Sequence, residues 1–552
     1  MHNQRREEYK ARLRDDKTAK KLATKATQWH ILSAELMKRR AELTKPSRSQ
    51  TESENQAFID SSIDSSIDSS IDNAGLQTNA ATAEPLAASA AQMKKVMETL
   101  KLNDKVLSVN PDPMYLWNLR RDLLLQCIDP RQQQKQQQQT LDANEFIAQE
   151  QILTQAALQR NPKAYGAWFH RKWSLRKFVD LMFASLSVLL ESSVSSELNA
   201  QTNEIENYEN RNEMTTTQQL IQQCTDVFKS ELILSAEFLK MDERNFHCWN
   251  YRRFIVSTLA TLISIHPSRV AANSHSINDV QSIMNGAWTF LNFDNGSNRG
   301  HGGDDTINET FSRQSPVIGP QLMTKQDKSQ SSLLASIVSD NNIKEVYQIL
   351  YTEWQFTSEK IYQNFSNGSA FHYRSKLLPM MSYYNNHETL TSIQMTQIKS
   401  KSDWVQDELE LIRNAIFTEP DDQTSWWYFR FILAWANPYH LSENTNNLGG
   451  EEDKEEALEE YKQMLYEEWT SIQELVETEG GQCKWGLLGL YMIATTFQDL
   501  YTSGVDDDNN GAMEYEGENW LELAFMYLDD LIALDPDRKL RYETMKEKLV
   551  QT

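Results

Sequence analysis

Apolar positions recur along this chain in one register, five times over. Each recurrence ends on a large aromatic anchor: Trp117, Trp168, Trp249, Phe371 and Trp426. Fifteen residues before the anchor stand Leu102, Leu153, Leu234, Phe356 and Leu411, and ten before it Leu107, Leu158, Leu239, Ile361 and Ile416. Apolar residues four to five apart over this length form one face of a helix. Seven residues before each anchor comes a turn signal: Asn110-Pro111, Asn161-Pro162, Asp242, Asn364 and Glu419-Pro420. Proline suits the first turn of the helix that follows. Each unit is therefore predicted to be two helices joined by a tight turn. The chain as a whole is predicted to be all-α, an array of antiparallel helical hairpins curved into a crescent-shaped, right-handed superhelix. Leu531, Ile532, Asp535-Pro536 and Tyr542 repeat the register as a degenerate sixth unit with tyrosine as anchor. The helix-rich first segment, Arg5 to Arg39, offers Leu13, Leu22, Ala26, Trp29 and Leu36 as a packing face.

Charge follows the same register. Eighteen residues before the anchor are Glu150, Glu231, Glu353 and Glu408 in units two to five, with Thr99 in the first. Three or four residues after the anchor come Arg120, Arg171, Arg252, Arg374 and Arg430. In an antiparallel hairpin each glutamate and its basic residue lie at about the same distance from the turn. The predicted ion pairs are Glu150–Arg171, Glu231–Arg252, Glu353–Arg374 and Glu408–Arg430. Partly buried pairs of this kind fix register more than they add net stability. Exposed ones would contribute only about 0–1 kcal/mol.

Composition agrees with a helical protein. The 552 residues include only 18 Gly and 13 Pro, few for a fold made of strands and tight turns. Cys127, Cys224, Cys248 and Cys483 are dispersed, with no CxxC pair, so neither a Cys-rich zinc motif nor a disulfide framework is expected, and no metal site is expected on this chain. The start, Met1-His2-Asn3-Gln4-Arg5-Arg6-Glu7-Glu8, is too charged for the core of a signal peptide, and no apolar run is long enough to span a bilayer. These features point to a cytoplasmic protein without membrane insertion. A net charge of -23 disfavours nucleic-acid binding.

Polar segments interrupt the array and explain anchor spacings of 51, 81, 122 and 55 residues. The expected organisation is a helical segment over 1–45, a low-complexity linker over 46–90 carrying Ser-Ser-Ile-Asp repeats, and the hairpin array over 91–442. Disordered insertions are expected near 131–140, 191–217 and 265–340, because such compositions bury too little apolar surface to offset ordering entropy. Residues 443–552 complete the chain with C-terminal helices, the acidic runs at Glu451–Glu456 and Asp506–Asp508, and the degenerate repeat.

The Asn-Pro-x-x-x-x-x-Trp-x-x-Arg unit resembles the repeat of protein prenyltransferase alpha subunits. Three stretches are similar to the alpha subunits of the type II, or Rab, geranylgeranyltransferases in particular. They are Arg5-Arg6-Glu7-Glu8-Tyr9-Lys10-Ala11, Asn364 through Ser375, and Glu419 through Trp426 taken with Lys484-Trp485-Gly486-Leu487-Leu488. The resemblance covers the N-terminal helix and all the repeats, about two thirds of the chain.

The resemblance implies a heterodimer whose beta subunit holds the catalytic zinc and the isoprenoid pocket. It implies transfer of geranylgeranyl from geranylgeranyl diphosphate to C-terminal cysteines of Rab GTPases, presented by a Rab escort protein. Asn161-Pro162-Lys163-Ala164-Tyr165 matches a diphosphate-facing motif of the family, placing Lys163 as a cation for the diphosphate and Tyr165 beside it. Asn245-Phe246-His247-Cys248-Trp249 matches a second, with His247 as a further donor and Phe246 where the family has tyrosine. Donors aimed at the departing diphosphate stabilise the charge that develops there. His2 is a further candidate, as a side chain that reaches a partner's zinc. Two other readings stay open. One is the shared alpha subunit of farnesyltransferase and type I geranylgeranyltransferase, acting on CaaX proteins; the other is a non-catalytic helical-repeat scaffold.

Overall fold

The computed structural model describes residues 16–43, 83–128, 142–197, 203–265, 343–385, 399–438, 451–502, 514–515 and 517–551. The described residues are almost entirely helical. They fall into two compact units, Met1–Leu189 and Leu190–Thr552.

In the first unit α1 (Asp16–Leu43) packs on α2 (Ala83–Val109), and α2 forms a hairpin with α3 (Met114–Ile128). Next come α4 (Ala143–Arg160), which also packs on α2, and α5 (Tyr165–Glu197), whose C-terminal end passes beyond the unit. The second unit continues with the hairpins α6 (Asn203–Met241)/α7 (Phe246–Ser264), α8 (Ile343–Gln363)/α9 (Gly368–Asn385) and α10 (Lys401–Thr418)/α11 (Gln423–Ala436). Two more follow, α12 (Glu451–Thr478)/α13 (Lys484–Thr502) and α14 (Trp520–Leu534)/α15 (Lys539–Gln551). Glu514–Tyr515 and Glu518–Asn519 make a two-residue antiparallel ladder just before α14. Second helices of successive hairpins touch one another, α7 on α9, α9 on α11 and α11 on α13. This is the all-α hairpin array expected from the register.

The helix ends follow from local chemistry. Asp142, Asn245, Ser400, Asp422 and Asn519 cap the helices they precede by accepting backbone N–H bonds on their side chains, and Ser400 and Asp403 complete a reciprocal capping box. Leu107, Leu158, Leu239, Ile361 and Ile416 are all buried, as are the five anchors, whereas fifteen residues before the anchor only Leu411 is buried and Leu102, Leu153, Leu234 and Phe356 are half-buried. The degenerate unit at Asp535-Pro536 is also a hairpin, with Tyr542 buried and its hydroxyl donating to Asp535 Oδ2 at 3.2 Å.

The organisation departs from the expected boundaries in two places. Helix α2 begins at Ala83, inside the stretch expected to be linker. Helices α5 and α6 run through most of 191–217, where an insertion was expected, because polar side chains can extend a helix whose other end is anchored in a core. Residues 451–502 form a hairpin without an aromatic anchor. Its turn uses Gly480 and Gly481, both at positive φ, and Gly486 and Gly489 bring α13 close to Val476 and Trp426. The segments at 46–82, 131–140 and 266–340 lie outside the described residues.

Close packing at the anchors makes glycine necessary at one more position. A Cβ on Gly166 would stand 2.3 Å from Cδ1 of the buried Trp117. Gly166→Val is therefore expected to destabilise the first unit by about 1–3 kcal/mol, as overpacking does. Urea denaturation checks this, and a midpoint equal to wild type would contradict the close contact.

Candidate functional site

Two features repeat down the array: a buried charged layer halfway along the hairpins and an ordered row of turns at their ends. The charged layer differs from the predicted pairing. Glu150 is bound bidentately by Arg120, the arginine of the preceding hairpin, with Nε–Oε2 at 2.7 Å and Nη2–Oε1 at 2.6 Å. Arg252 clamps Glu353 in the same way at 2.8 and 2.6 Å, and Arg374 clamps Glu408 at 2.6 and 2.7 Å. Every member of these three pairs is at most 5% exposed.

The pairs Glu150–Arg171, Glu231–Arg252 and Glu353–Arg374 predicted within hairpins are thus replaced by pairs between hairpins. Within its own hairpin the arginine meets neutral groups. Arg171 Nη1 donates to the Gln151 carbonyl and Thr154 Oγ1, Arg252 Nη1 to the Leu232 carbonyl and Ser235 Oγ, and Arg374 Nη1 to the Trp354 carbonyl and Thr357 Oγ1. The in-hairpin partner of the glutamate is the residue just before the arginine. Tyr251, Tyr373 and Tyr428 donate their hydroxyls to Glu231, Glu353 and Glu408, and the His170 ring bonds Glu150 at 2.7 Å. Consecutive helix residues diverge by about 100°. One therefore faces its own partner helix while the next reaches the neighbouring hairpin. Equal height was read correctly, and the direction was not.

The pair Glu408–Arg430 fails for a further reason. The position three after Trp426 is Phe429, which is buried, and the hydroxyl-bearing position is Ile412. Arg430 lies one residue on, near Arg541, and burial together with that like charge lowers its pKa. Glu408 instead collects Arg374, the Tyr428 hydroxyl at 2.6 Å and the Trp354 indole N–H at 3.0 Å.

The turns are closed by the anchors. The indole N–H groups of Trp117, Trp168, Trp249 and Trp426 donate to the carbonyls of Pro111, Pro162, Glu243 and Pro420, all at 2.7–2.8 Å. Phe371 has no such donor, and in its hairpin Asn367 Nδ2 reaches across to the Glu243 carbonyl at 3.1 Å. Asparagine side chains fold three turns by accepting the N–H two residues on, Asn110 from Asp112, Asn161 from Lys163 and Asn364 from Ser366. Neighbouring turns bond to one another. Asn161 Nδ2 donates to Asp112, Asn364 Nδ2 to Glu243, and the Ser366 hydroxyl to Asp422.

The predicted site residues stand on this row. Lys163 is exposed on the turn before α5, and Tyr165, the first residue of that helix, is 59% exposed. His247 is half-buried in the first turn of α7, its N–H bonded to Asn245 Oδ1 at 3.1 Å, and the ring of Phe246, 58% exposed, meets the His247 ring edge-on at 5.7 Å. Lys163 and Tyr165 belong to the first unit and His247 to the second. His2 and the Arg5–Ala11 stretch lie outside the described residues. Among the described residues no three His, Cys, Asp or Glu side chains gather as a metal-holding group, and no helix is long and apolar enough to cross a membrane.

These hairpins resemble a known repeat. Residues 147–178, 228–259, 350–381 and 405–436 match the protein prenyltransferase alpha subunit repeat, each match running from the first helix through the anchor and arginine position of the second. Four of the chain's hairpins are thus similar to the repeat of that class of proteins. Within this class its similarity is to geranylgeranyl transferase type-2 alpha subunits. It is 25% identical to that of Homo sapiens over 339 residues, covering 61% of this chain and 34% of the relative. It is 28% identical to that of Schizosaccharomyces pombe over 202 residues, covering 36% and 50%. It is 23% identical to geranylgeranyl transferase type-2 subunit alpha 2 of Arabidopsis thaliana over 258 residues, covering 47% and 32%. The chain thus spans about a third of the length of the human relative.

The charged layer has measurable consequences. Burial by itself would raise the Glu150 pKa, but the Arg120 guanidinium and the bond from His170 outweigh it and hold the carboxyl at about 2. A carboxyl depressed in the folded state contributes stability above its ordinary pKa of 4.5 and loses it as pH falls towards 2. Glu150→Gln is expected to be less stable at neutral pH and to lose less stability between about pH 4.5 and 2. Denaturation midpoints across that range check it, and parallel pH profiles would refute the pairing. At the other end, Arg374→Met should cost about 3–5 kcal/mol by leaving Glu408 without its cation. Adding Glu408→Leu should recover part of that loss, as a double-mutant cycle measures.

Proposed function

We propose that this chain is the alpha subunit of a heterodimeric protein geranylgeranyltransferase, transferring geranylgeranyl from its diphosphate to C-terminal cysteines of Rab GTPases. The observation that carries the reading is the coincidence of four prenyltransferase alpha repeats with four consecutive hairpins, joined to relatives named geranylgeranyl transferase type-2 subunit alpha. Those names favour this reading over a CaaX-directed transferase or a passive scaffold.

The division of labour follows from the side chains. The buried layer keeps the hairpins in register, and the turn row presents polar side chains at the starts of the second helices. The exposed Lys163 stands on a turn fixed by Asn161 and by the Trp168–Pro162 bond. In the proposed complex its charge, with the Tyr165 hydroxyl, offsets the negative charge that gathers on the departing diphosphate. Preorganised donors of this kind act on the transition state more than on the bound substrate. The beta subunit supplies the isoprenoid pocket and a zinc ion that favours the thiolate form of the acceptor cysteine. A Rab escort protein presents the GTPase.

The test is transfer of labelled geranylgeranyl by this chain alone and with its co-purified partner, to a Rab–escort complex and to a CaaX substrate. Activity that needs the partner and is confined to Rab is the expected outcome. Transfer to the CaaX substrate would move the chain to the farnesyl and type I class, and failure of any partner to assemble would leave a scaffold. Lys163→Ala should lower the transfer rate by about 10–100-fold with heterodimer assembly unchanged, the size of effect expected when one charged donor is lost. Equal loss of assembly and activity would remove Lys163 from the diphosphate.

A further inference from the structure

The α2/α3 hairpin lies outside the four repeat matches, yet its turn is stiffly built. It reads Asn110-Pro111-Asp112-Pro113, so Asp112 stands between two prolines. Proline fixes its own φ, and the residue before a proline is confined to extended backbone. The Asp112 N–H donates to Asn110 Oδ1 at 3.1 Å, and the Pro111 carbonyl accepts the indole N–H of the buried Trp117 at 2.7 Å. Backbone on either side of Asp112 is thus tied down, and its exposed carboxylate is what this turn offers to a neighbour.

That neighbour is the turn of the second hairpin, in the same unit. Asn161 bridges the two turns with one amide. Its Nδ2 donates to Asp112 Oδ1 at 2.7 Å, and its Oδ1 accepts the backbone N–H of Lys163 at 3.0 Å. A carboxylate only accepts and a backbone N–H only donates, so a single orientation of the amide serves both. The charged acceptor also makes the first bond the stronger kind. Three further bonds close within the second hairpin: Asn161 N–H to the Ala157 carbonyl, Ala164 N–H to the Asn161 carbonyl, and Trp168 Nε1 to the Pro162 carbonyl. They fix the shape of the Lys163 turn. The Asp112–Asn161 bond fixes where that turn stands beside the first hairpin, and Gly166 adds a second point of reference by packing the start of α5 on the Trp117 ring.

We propose that Asp112 is a positioning residue for the transfer reaction: through the Asn161 amide it holds the turn that places Lys163 for the departing diphosphate. The inference rests on the transferase reading above. It gives the first hairpin a task in the reaction that needs no contact with substrate. A donor aimed at a transition state loses effect when its backbone can shift, so the loss falls on turnover more than on substrate binding.

The experiment compares Asp112→Ala, Asp112→Asn, Lys163→Ala and the double variant Asp112→Ala/Lys163→Ala, each assembled with the co-purified partner. The rate of geranylgeranyl transfer at saturating substrate is read beside hydrogen exchange at the Lys163 amide in the full chain. Asp112→Ala should lower kcat about 3–10-fold, the size of one hydrogen bond, with KM and assembly unchanged and exchange at that amide faster. Asp112→Asn keeps an acceptor oxygen for Asn161 and should stay within about twofold of wild type in both readouts. The double variant should transfer no more slowly than Lys163→Ala alone, because Asp112 acts through Lys163. Asp112→Ala at the wild-type rate, where Lys163→Ala is slow, would overturn the inference and leave the transferase reading standing. So would an equal loss from Asp112→Ala with and without Lys163, which marks a general effect on the fold. Faster transfer in Asp112→Asn would also overturn it, since the carboxylate would then act on the diphosphate by charge alone. A wild-type complex that transfers nothing ends the transferase reading and this inference together.

Discussion

Each buried arginine of the charged layer has to satisfy its donors inside the protein, and the hairpins are arranged around that requirement. Arg252 and Arg374 each place Nη1 on a carbonyl and a hydroxyl of their own hairpin, and give Nε and Nη2 to a glutamate of the next. One planar side chain thereby fixes three helices at once. A shift of one helical residue would leave a buried guanidinium and a buried carboxylate apart, which costs several kcal/mol. The layer therefore acts chiefly on register. Net stability comes from the apolar face, where the anchors and leucines are removed from water. Ring faces support the guanidinium planes, Phe356 under Arg252 at 3.8 Å and Trp354 under Arg374 at 4.4 Å.

Register fixed in the middle of the hairpins carries to their ends. Because each tryptophan anchor ties its indole N–H to a carbonyl six residues earlier, the turn cannot swing independently of the core. The residues left exposed on those turns, Lys163 and Tyr165 in one unit and the partly exposed His247 in the other, are held by backbone bonds to asparagine side chains or by their place at a helix start.

Departures from the repeat are as informative as the repeat. Phe371 lacks the indole donor, and its turn is tied instead to the preceding hairpin, Asn367 Nδ2 donating to the Glu243 carbonyl. Phe429 stands where an arginine would reach onward, and with Ile412 in place of the hydroxyl the fifth hairpin has no guanidinium in that position. The following hairpin packs instead through Gly489 against Trp426, while α10 reaches α12 by Arg413 and the buried Glu468. His170 replaces tyrosine in the second hairpin, ringed by Trp117 and Trp173 at 5.0 and 5.3 Å. Each exception changes which neighbour a hairpin can hold.

The hairpin class was readable from residues alone, because apolar spacing, turn residues and anchors are local properties that a helix enforces every 3.6 residues. The same holds for the anchors, for the buried positions ten before them and for which residues sit on the turns. The α12/α13 hairpin was less legible: it uses glycines where the others use an indole, so the strongest marker is missing. Pairing of the charges was decided only in three dimensions. Sequence spacing fixed the height of Glu150, Glu353 and Glu408 on their helices, but a difference of one residue turns a side chain by 100° towards a different neighbour. Which hairpin supplies the arginine, and which tyrosine or histidine completes the carboxylate, depends on how helices far apart in sequence pack together.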